Sequence, residues 1–239
     1  MNDFTSNYDR GSGLTGINVF ASVMTRVYGW MTLALLLTGG VAVYTASNLE
    51  LLRLIYGSQA GIWILIIAEL GIVMTLSAAI NRLSPATAVI LFLIYSALNG
   101  LTLSTIFFAY ERSTIYQAFF ASALTFGGMS LFGYTTKRDL TSLRGFLLMT
   151  LLGLLIATVV NFFMQSEGFS MLLTYVGVFL FVGLTAYDTQ KIKQMTYAAQ
   201  TTGDEATVGR IAILGALSLY LDFINLFLYI LRLFGRRSN

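Results

Sequence analysis

Seven apolar segments follow one another along this chain, and they constrain its fold more than any other feature of the sequence. A helix needs about 20 apolar residues to cross the roughly 30 Å hydrocarbon core of a bilayer, and most of the segments are close to that length. Their hydropathy therefore predicts seven transmembrane helices joined by short connections. The predicted spans are Val27–Ala46, Ile62–Ile80, Ala86–Phe108, Tyr116–Thr135, Leu143–Met164, Met171–Gln190 and Ile211–Leu233.

The composition is that of a polytopic membrane protein. Only 10% of the residues are charged and 56% are hydrophobic, whereas a soluble domain carries about 25% charged residues. We predict an all-α membrane protein with one transmembrane domain, residues 26–239, that follows a polar N-terminal tail, residues 1–25. The first part of the tail, Met1–Gly16, is polar before any apolar run, so we interpret it as disordered and not as a signal peptide.

The chain contains neither cysteine nor histidine. Without cysteine it has no disulfides, thiolate nucleophiles or cysteine metal sites. Without histidine it has no Ser-His-Asp triad and no histidine-ligated zinc or haem, and any response to pH must come from carboxyl groups. The net charge of +3 is small and the basic residues are scattered over loops, so nothing indicates nucleic-acid binding. We expect no bound cofactor.

Lysine and arginine indicate the orientation, because cytoplasmic loops carry an excess of them. With the N-terminus in the cytoplasm, nine basic residues lie on that side: Arg10, Arg26, Arg82, Lys137, Arg138, Arg144, Lys191, Lys193 and Arg210. Five lie on the far side: Arg53, Arg112, Arg232, Arg236 and Arg237. The last three would agree better with a cytoplasmic excess of basic residues if the final segment entered the bilayer and returned, because both termini would then lie in the cytoplasm. That segment, Ile211–Leu233, is long enough to cross, and we predict seven full spans.

Three acidic side chains lie inside predicted spans, namely Glu69, Asp188 and Asp222. A charge inside a span costs at least a few kcal/mol, so such a residue usually faces a cavity, a pathway or a partner. No lysine or arginine lies in the middle of a span. An acidic interior with basic rims favours a cation over an anion as a permeating species.

The two aspartates are predicted to lie at nearly the same depth. The sixth and seventh spans form an antiparallel hairpin around Asp204, and Asp188 precedes that residue by about as much as Asp222 follows it. The remaining difference is about 3 Å of helix rise, provided that the sixth helix continues past Gln190. The two carboxyl groups are then expected to share a proton and to titrate as a unit.

Other residues complete this hypothetical site. A passing calcium ion prefers carboxylate and carbonyl oxygen, so Asp188 and Asp222 are candidate transient ligands, and Asn225 could add an amide oxygen. Arg82 is the natural counter-ion of Asp188 and could form a latch that protonation releases, so acid is expected to open the path. Alternatively, each aspartate only caps or hydrogen-bonds a neighbouring helix, and Arg82 only anchors its helix end. Glu69 either lines the same pathway or is a neutral, hydrogen-bonded acid.

The third span carries a stripe of small residues, Ser96, Gly100 and Ser104, at a spacing of four. Such a stripe is typical of close contact between membrane helices. With Asn99 and Thr102 it could instead line a polar cavity.

Several segments of the chain resemble those of a known family. The segments Ala186–Lys191 and Leu219–Phe227 resemble the signature of the Bax inhibitor-1 family, also called the transmembrane BAX inhibitor motif (TMBIM) family. Gly133–Leu140 and the Ser96–Ser104 segment resemble its bacterial inner-membrane members, and the resemblance extends from about Arg26 to Gly235.

The resemblance implies a bundle of seven helices in which the C-terminal helix is central and six pack around it. It also implies a pH-sensitive calcium leak channel or transporter in the bacterial inner membrane. In that picture Asp188 and Asp222 form the proton-sensing pair, and Arg82 pairs with Asp188. Lipid, calcium and protons are the expected partners, and no enzymatic activity is expected.

Two alternatives belong to other functional classes. An intramembrane aspartyl protease would use Tyr187-Asp188 with Asp222, but Leu219-Tyr220-Leu221 stands where such enzymes need glycines for substrate approach. A non-transporting modulator of a membrane quality-control protease would use the tail, Met1–Gly16, as its handle.

Overall fold

The computed structural model describes residues 4–200 and 205–235, which are helical along most of their length. The α-helices are α1 Phe4–Ser47, α2 Leu49–Tyr56, α3 Gln59–Ala79, α4 Pro85–Leu103, α5 Ile106–Ala109, α6 Arg112–Thr135, α7 Arg144–Met164, α8 Glu167–Gln200 and α9 Glu205–Phe234. Single 3-10 turns occupy Ile80–Arg82 and Thr141–Leu143. Within the described ranges seven segments are long and apolar enough to cross a membrane, with α4 and α5 forming one of them, which confirms the predicted spans.

Helices α1 and α8 extend furthest beyond their predicted spans. Helix α8 continues past Gln190 to Gln200, as the matched depth of the aspartates requires. Helix α1 begins at Phe4, so the structure continues the first span back through residues 4–25, which the sequence predicts as a polar tail with a disordered first part. Adding a residue to an existing helix is much easier than starting one, and this favours extension of the span into the polar segment. The division of the chain at residue 26 remains a prediction.

The short helix α2 is missing from the sequence prediction. Its start is capped by Asn48, whose Oδ1 accepts hydrogen bonds from the backbone N–H groups of Glu50 and Leu51 at 3.0 and 3.2 Å. Its end is held by Tyr56, whose hydroxyl donates to the carbonyl of Leu101 at 2.8 Å, close to the break between α4 and α5. With 8 residues, α2 is too short for the hydropathy signal of a span.

Helix α9 is the centre of the bundle, as the family resemblance implies. In its most apolar stretch 72% of the residues are buried inside the protein, against 11% for both α3 and α7. It packs against α1, α4, α6 and α8, while α3 packs mainly on α4 and α7 mainly on α8. Its 30 residues form one unbroken helix, about 45 Å long. This length favours a full crossing over a segment that enters and returns.

The small-residue stripe of α4 contacts α1. A Cβ atom on Gly100 would lie 2.6 Å from the backbone oxygen of Thr38, so only glycine allows the observed approach. The hydroxyl of Thr38 donates to the backbone oxygen of Ser96 at 2.8 Å across the same contact. The prediction of close helix packing is therefore confirmed.

Candidate functional site

Asp222 lies in the interior of the bundle near the middle of α9. Its side chain is 4% exposed, and it is surrounded in sequence by buried apolar residues, among them Leu219 and Phe223. Within the described residues its Oδ2 atom has no hydrogen-bond partner. Buried polar atoms nearly always have a partner, so this carboxyl oxygen is a candidate position for a proton, a water molecule or an ion.

Asp188 faces Asp222 from α8. The two carboxyl groups are near enough for the charge of Asp188 to act on Asp222, and the charge of Lys191 acts on both. Asp188 is half-buried and Asp222 is buried, so the pair has an outer and an inner member. The structure thus brings together the two acids that the sequence singles out, while the role assigned to them remains a prediction.

A cluster of hydroxyl groups includes Thr189, the residue that follows Asp188 on α8. The hydroxyl of Tyr28 on α1 is hydrogen-bonded to Ser130 of α6, and Ser130 Oγ lies 3.0 Å from Thr189 Oγ1 of α8. Thr189 also donates to the backbone oxygen of Thr185 at 2.8 Å. Sequence reasoning missed this cluster. The sign of this cluster in the sequence is the presence of hydroxyl-bearing residues inside the apolar spans.

Arg82 does not form the predicted latch in this structure. Its side chain is exposed at the 3-10 turn after α3, and the positive charge that acts on Asp188 is that of Lys191. The expectation that acid opens the path depended on this latch and has no structural basis here. The turn is held by another arginine, Arg210 at the start of α9, which donates its Nε–H to the carbonyl of Leu83 at 3.1 Å.

Glu69 belongs to a second polar cluster, between α3 and α4. Thr102 donates its hydroxyl hydrogen to Glu69 Oε1 at 2.5 Å, so the carboxyl group is hydrogen-bonded as one of the two predictions has it. The charge of Glu69 acts on Tyr95 and Tyr220.

Tyr220 extends this second polar cluster to the centre of the bundle. It is fully buried, its hydroxyl lies 2.7 Å from Thr38 Oγ1, and its ring packs edge-on against Phe92. Residues two apart on a helix point in nearly opposite directions, about 200° apart. Helix α9 therefore presents Asp222 to α8 and Tyr220 to α1 and α4.

The structure provides few oxygen ligands for a bound cation. The side-chain nitrogen of Asn225 donates to the carbonyl of Leu221 at 2.8 Å, which ties the amide to its own helix. Among the described residues no group of three or more acidic, histidine or cysteine side chains could hold a metal ion. Two carboxylates suit a passing calcium ion better than a resident one, because calcium usually takes six to eight oxygen ligands.

Comparison with known proteins decides the family. The family model described as "Inhibitor of apoptosis-promoting Bax1" matches residues 20–239. The chain belongs to the Bax inhibitor-1 family. It is 50% identical over 214 residues to the inner membrane protein YbhL of Escherichia coli K12, covering 90% of this chain and 91% of YbhL. A protein of Borreliella burgdorferi is 43% identical over 216 residues, covering 90% and 92%, and a membrane protein of Streptococcus pyogenes serotype M1 is 45% identical over 172, covering 72% and 73%.

The segments that resemble the Bax inhibitor-1 family meet in the structure. Gln190 lies at the end of the Tyr-Asp segment of α8 and is 7% exposed. Its Nε2 donates to the carbonyl of Arg138 at 2.8 Å, and its Oε1 accepts from the N–H of Leu140 at 2.8 Å. A Cβ atom on Gly133 would collide with the backbone of Ala186. The segment Gly133–Leu140 is therefore fixed to α8 beside Asp188.

Proposed function

We propose that this protein is a calcium leak channel or transporter whose conduction depends on protonation of Asp188 and Asp222. The observation that carries the proposal is the buried carboxyl group of Asp222, which has an orphaned oxygen among the described residues and lies within reach of the charge of Asp188. No basic side chain lies in the middle of a span, so the interior favours a cation.

The mechanism follows from the electrostatics of two acids in a dry interior. Two carboxylates a few ångströms apart cannot both ionise cheaply, so the pair gains and loses protons as a unit. Each proton changes the force between α8 and α9, which are packed along each other. A calcium ion can replace the proton, because its charge offsets both carboxylates and carboxylate oxygen is its preferred ligand.

The half-buried Asp188 gives the path its entrance. An ion that reaches the level of the pair would meet the half-buried Asp188 first and the buried Asp222 behind it in the interior of the bundle. Beyond Asp222, the polar groups around Tyr220 and Glu69 offer a continuation on the other side of α9. Closure of the path would then depend on the apolar side chains that lie between the aspartate pair and the polar groups around Tyr220 and Glu69.

A calcium flux assay on purified protein tests the proposal. In proteoliposomes with a calcium indicator inside, flux through the wild type should change several-fold with pH. Asp188→Asn and Asp222→Asn should flatten that dependence, because an amide of the same size does not titrate. Glu111→Gln, which removes an exposed acid outside the spans, is the matched control and should keep the wild-type profile. A steep profile that survives in both Asn variants contradicts the proposal.

We further propose that the protein lies in the bacterial inner membrane with its N-terminus in the cytoplasm. The relative YbhL is named an inner membrane protein, and the excess of basic residues supports the orientation. Because the chain has no cysteine, single cysteines can be introduced directly. Ser142→Cys in the turn between α6 and α7 should resist a membrane-impermeant maleimide in intact spheroplasts, and Ser58→Cys before α3 should react. The reverse pattern would invert the topology.

We propose no enzymatic role. Leu219 and Tyr220, which precede Asp222, are both fully buried, and an extended substrate would have no room beside that carboxyl group. Cleavage of a helical membrane substrate that is lost in Asp222→Ala would contradict this.

A further inference from the structure

We propose that a pocket beside the turn between α6 and α7 binds the phosphodiester headgroup of an anionic phospholipid. We call it the turn pocket. It has a volume of about 260 Å³ and is lined by Lys137, Arg138, Asp139, Gln190, Lys193 and Gln194. The inference is independent of calcium conduction, because it concerns the rim of the bundle and not its interior.

The location of the turn pocket favours a lipid over a soluble ligand. Helix α6 ends at Thr135 and α7 begins at Arg144, so the turn between them lies where two spans leave the hydrocarbon core. Helix α8 continues to Gln200 and forms a wall beside the turn. Phospholipid headgroups occupy this level of the membrane, and basic pockets between spans are known to receive them.

The lining has the chemistry that a phosphodiester needs. Lys137, Arg138 and Lys193 provide three positive charges against the single negative charge of Asp139. Lys193 is held in place, since its Nζ donates to the carbonyl of Tyr134 at 3.0 Å and lies 5.4 Å from the centre of the Tyr134 ring. An ammonium group has three donors, so this contact leaves others for a phosphate oxygen.

The carboxylate of Asp139 favours a ligand that carries hydroxyl donors over a bare anion. The Thr141 hydroxyl and backbone N–H donate to its Oδ1 at 2.6 and 2.9 Å, and these bonds lower the pKa of Asp139. The carboxylate is therefore charged at neutral pH and disfavours a bare anion such as inorganic phosphate. A headgroup that carries hydroxyl donors as well as a phosphate, such as that of phosphatidylglycerol, suits both kinds of charge. Its hydroxyl groups can donate to Asp139 while its phosphate contacts the basic residues.

The turn pocket is also preformed. The buried side chain of Gln190 bonds to Arg138 and Leu140 and fixes the turn to α8, so little ordering has to accompany binding.

Native mass spectrometry of the full-length protein tests the proposal, with phosphatidylglycerol and phosphatidylcholine of the same acyl chains as probes. Wild type should retain phosphatidylglycerol in preference to phosphatidylcholine. Each basic residue near a membrane surface contributes about a fivefold change in affinity, so Lys137→Gln/Arg138→Gln should weaken binding by about 25-fold. Both residues are exposed, and their loss removes no buried contact.

Lys191→Gln is the matched control, because Lys191 is exposed at the same end of the bundle but does not line the turn pocket. It should change affinity by less than about twofold if the pocket, and not general surface charge, binds the lipid. Gln194→Glu adds a carboxylate to the lining and should weaken phosphatidylglycerol binding by about fivefold.

Three results would overturn the proposal. Equal retention of the two lipids by wild type would remove the headgroup preference. Equal losses in Lys191→Gln and Lys137→Gln/Arg138→Gln would assign binding to diffuse charge. In a separate arm without lipid, thermal stabilisation of wild type by inorganic phosphate or glycerol 3-phosphate, absent in the double variant, would assign the pocket to a soluble phosphate.

Discussion

The contact between α6 and α8 at Gly133 gives the sharpest test of the fold around the aspartate pair. A Cβ atom at this position would collide with the backbone of Ala186, two residues before Asp188. Backbone cannot move aside as a flexible side chain can, so Gly133→Ala must push the helices apart. Overpacking of this kind costs about 1–3 kcal/mol, which lowers the ratio of folded to unfolded protein by about 5- to 150-fold.

The same helix offers a matched control. Gly128 lies on α6, and a Cβ atom added there would have no other heavy atom within 4 Å beyond its own helix backbone, so Gly128→Ala meets no obstacle. Because alanine is the better helix former, Gly128→Ala should be neutral or stabilising by up to about 1 kcal/mol. The two variants change composition identically and differ only in what the added methyl group meets.

Thermal unfolding in detergent measures the difference. A change of 1 kcal/mol moves the Tm by about 2–4 °C in a chain of this size, so Gly133→Ala should unfold several degrees below wild type and Gly128→Ala at or above it. Equal Tm values for the two variants would refute the close approach of α6 to α8. Separation of the helices should also alter calcium flux in Gly133→Ala, since Asp188 follows Ala186 by only two residues on α8.

Three further perturbations probe the hydrogen bonds described above. Thr102→Val removes the donor to Glu69 and should destabilise the protein by about 1–3 kcal/mol, whereas Thr102→Ser should retain most of the stability; chemical unfolding separates the two. Gln190→Leu leaves the N–H of Leu140 without its acceptor, and limited proteolysis should then cut the turn between α6 and α7 faster than in wild type. The lowered pKa of Asp139 means that its contribution to stability is complete above the unfolded-state pKa of about 4 and disappears as the pH falls through the lower folded-state value. The Tm difference between wild type and Asp139→Asn should therefore be present at neutral pH and vanish in acid, and a difference that persists at the lowest pH would contradict this assignment.

The predictions from sequence succeeded where the physics is local. Hydropathy located the spans because transfer of about 20 residues into lipid depends on their composition and hardly on their neighbours. Residue counting along two helices predicted that Asp188 and Asp222 would meet, and the charge of Asp188 does act on Asp222; their equal depth remains a prediction. The stripe through Gly100 was recognisable because close helix packing selects for small side chains.

The latch role of Arg82 remains a prediction, because the structure leaves that side chain exposed. Its position at the end of the second span suggested Arg82 as a counter-ion of Asp188, whereas in the structure the charge of Lys191 acts on that carboxyl group. Residue counting places a side chain along the helix axis and leaves its direction around that axis open. A long, flexible side chain at a helix end can reach either water or the bundle.

Seven segments able to cross a membrane, with three acids among them, can be predicted from the amino-acid sequence alone, because both properties depend on which residues follow one another. The packing of the helices, in contrast, is needed to see that Asp222 faces α8, that Glu69 faces α4, and that Gln190 joins the turn after α6 to α8. A helix that is apolar on nearly all sides has no sequence pattern that sets its rotation about its own axis. That rotation is set by packing against neighbouring helices.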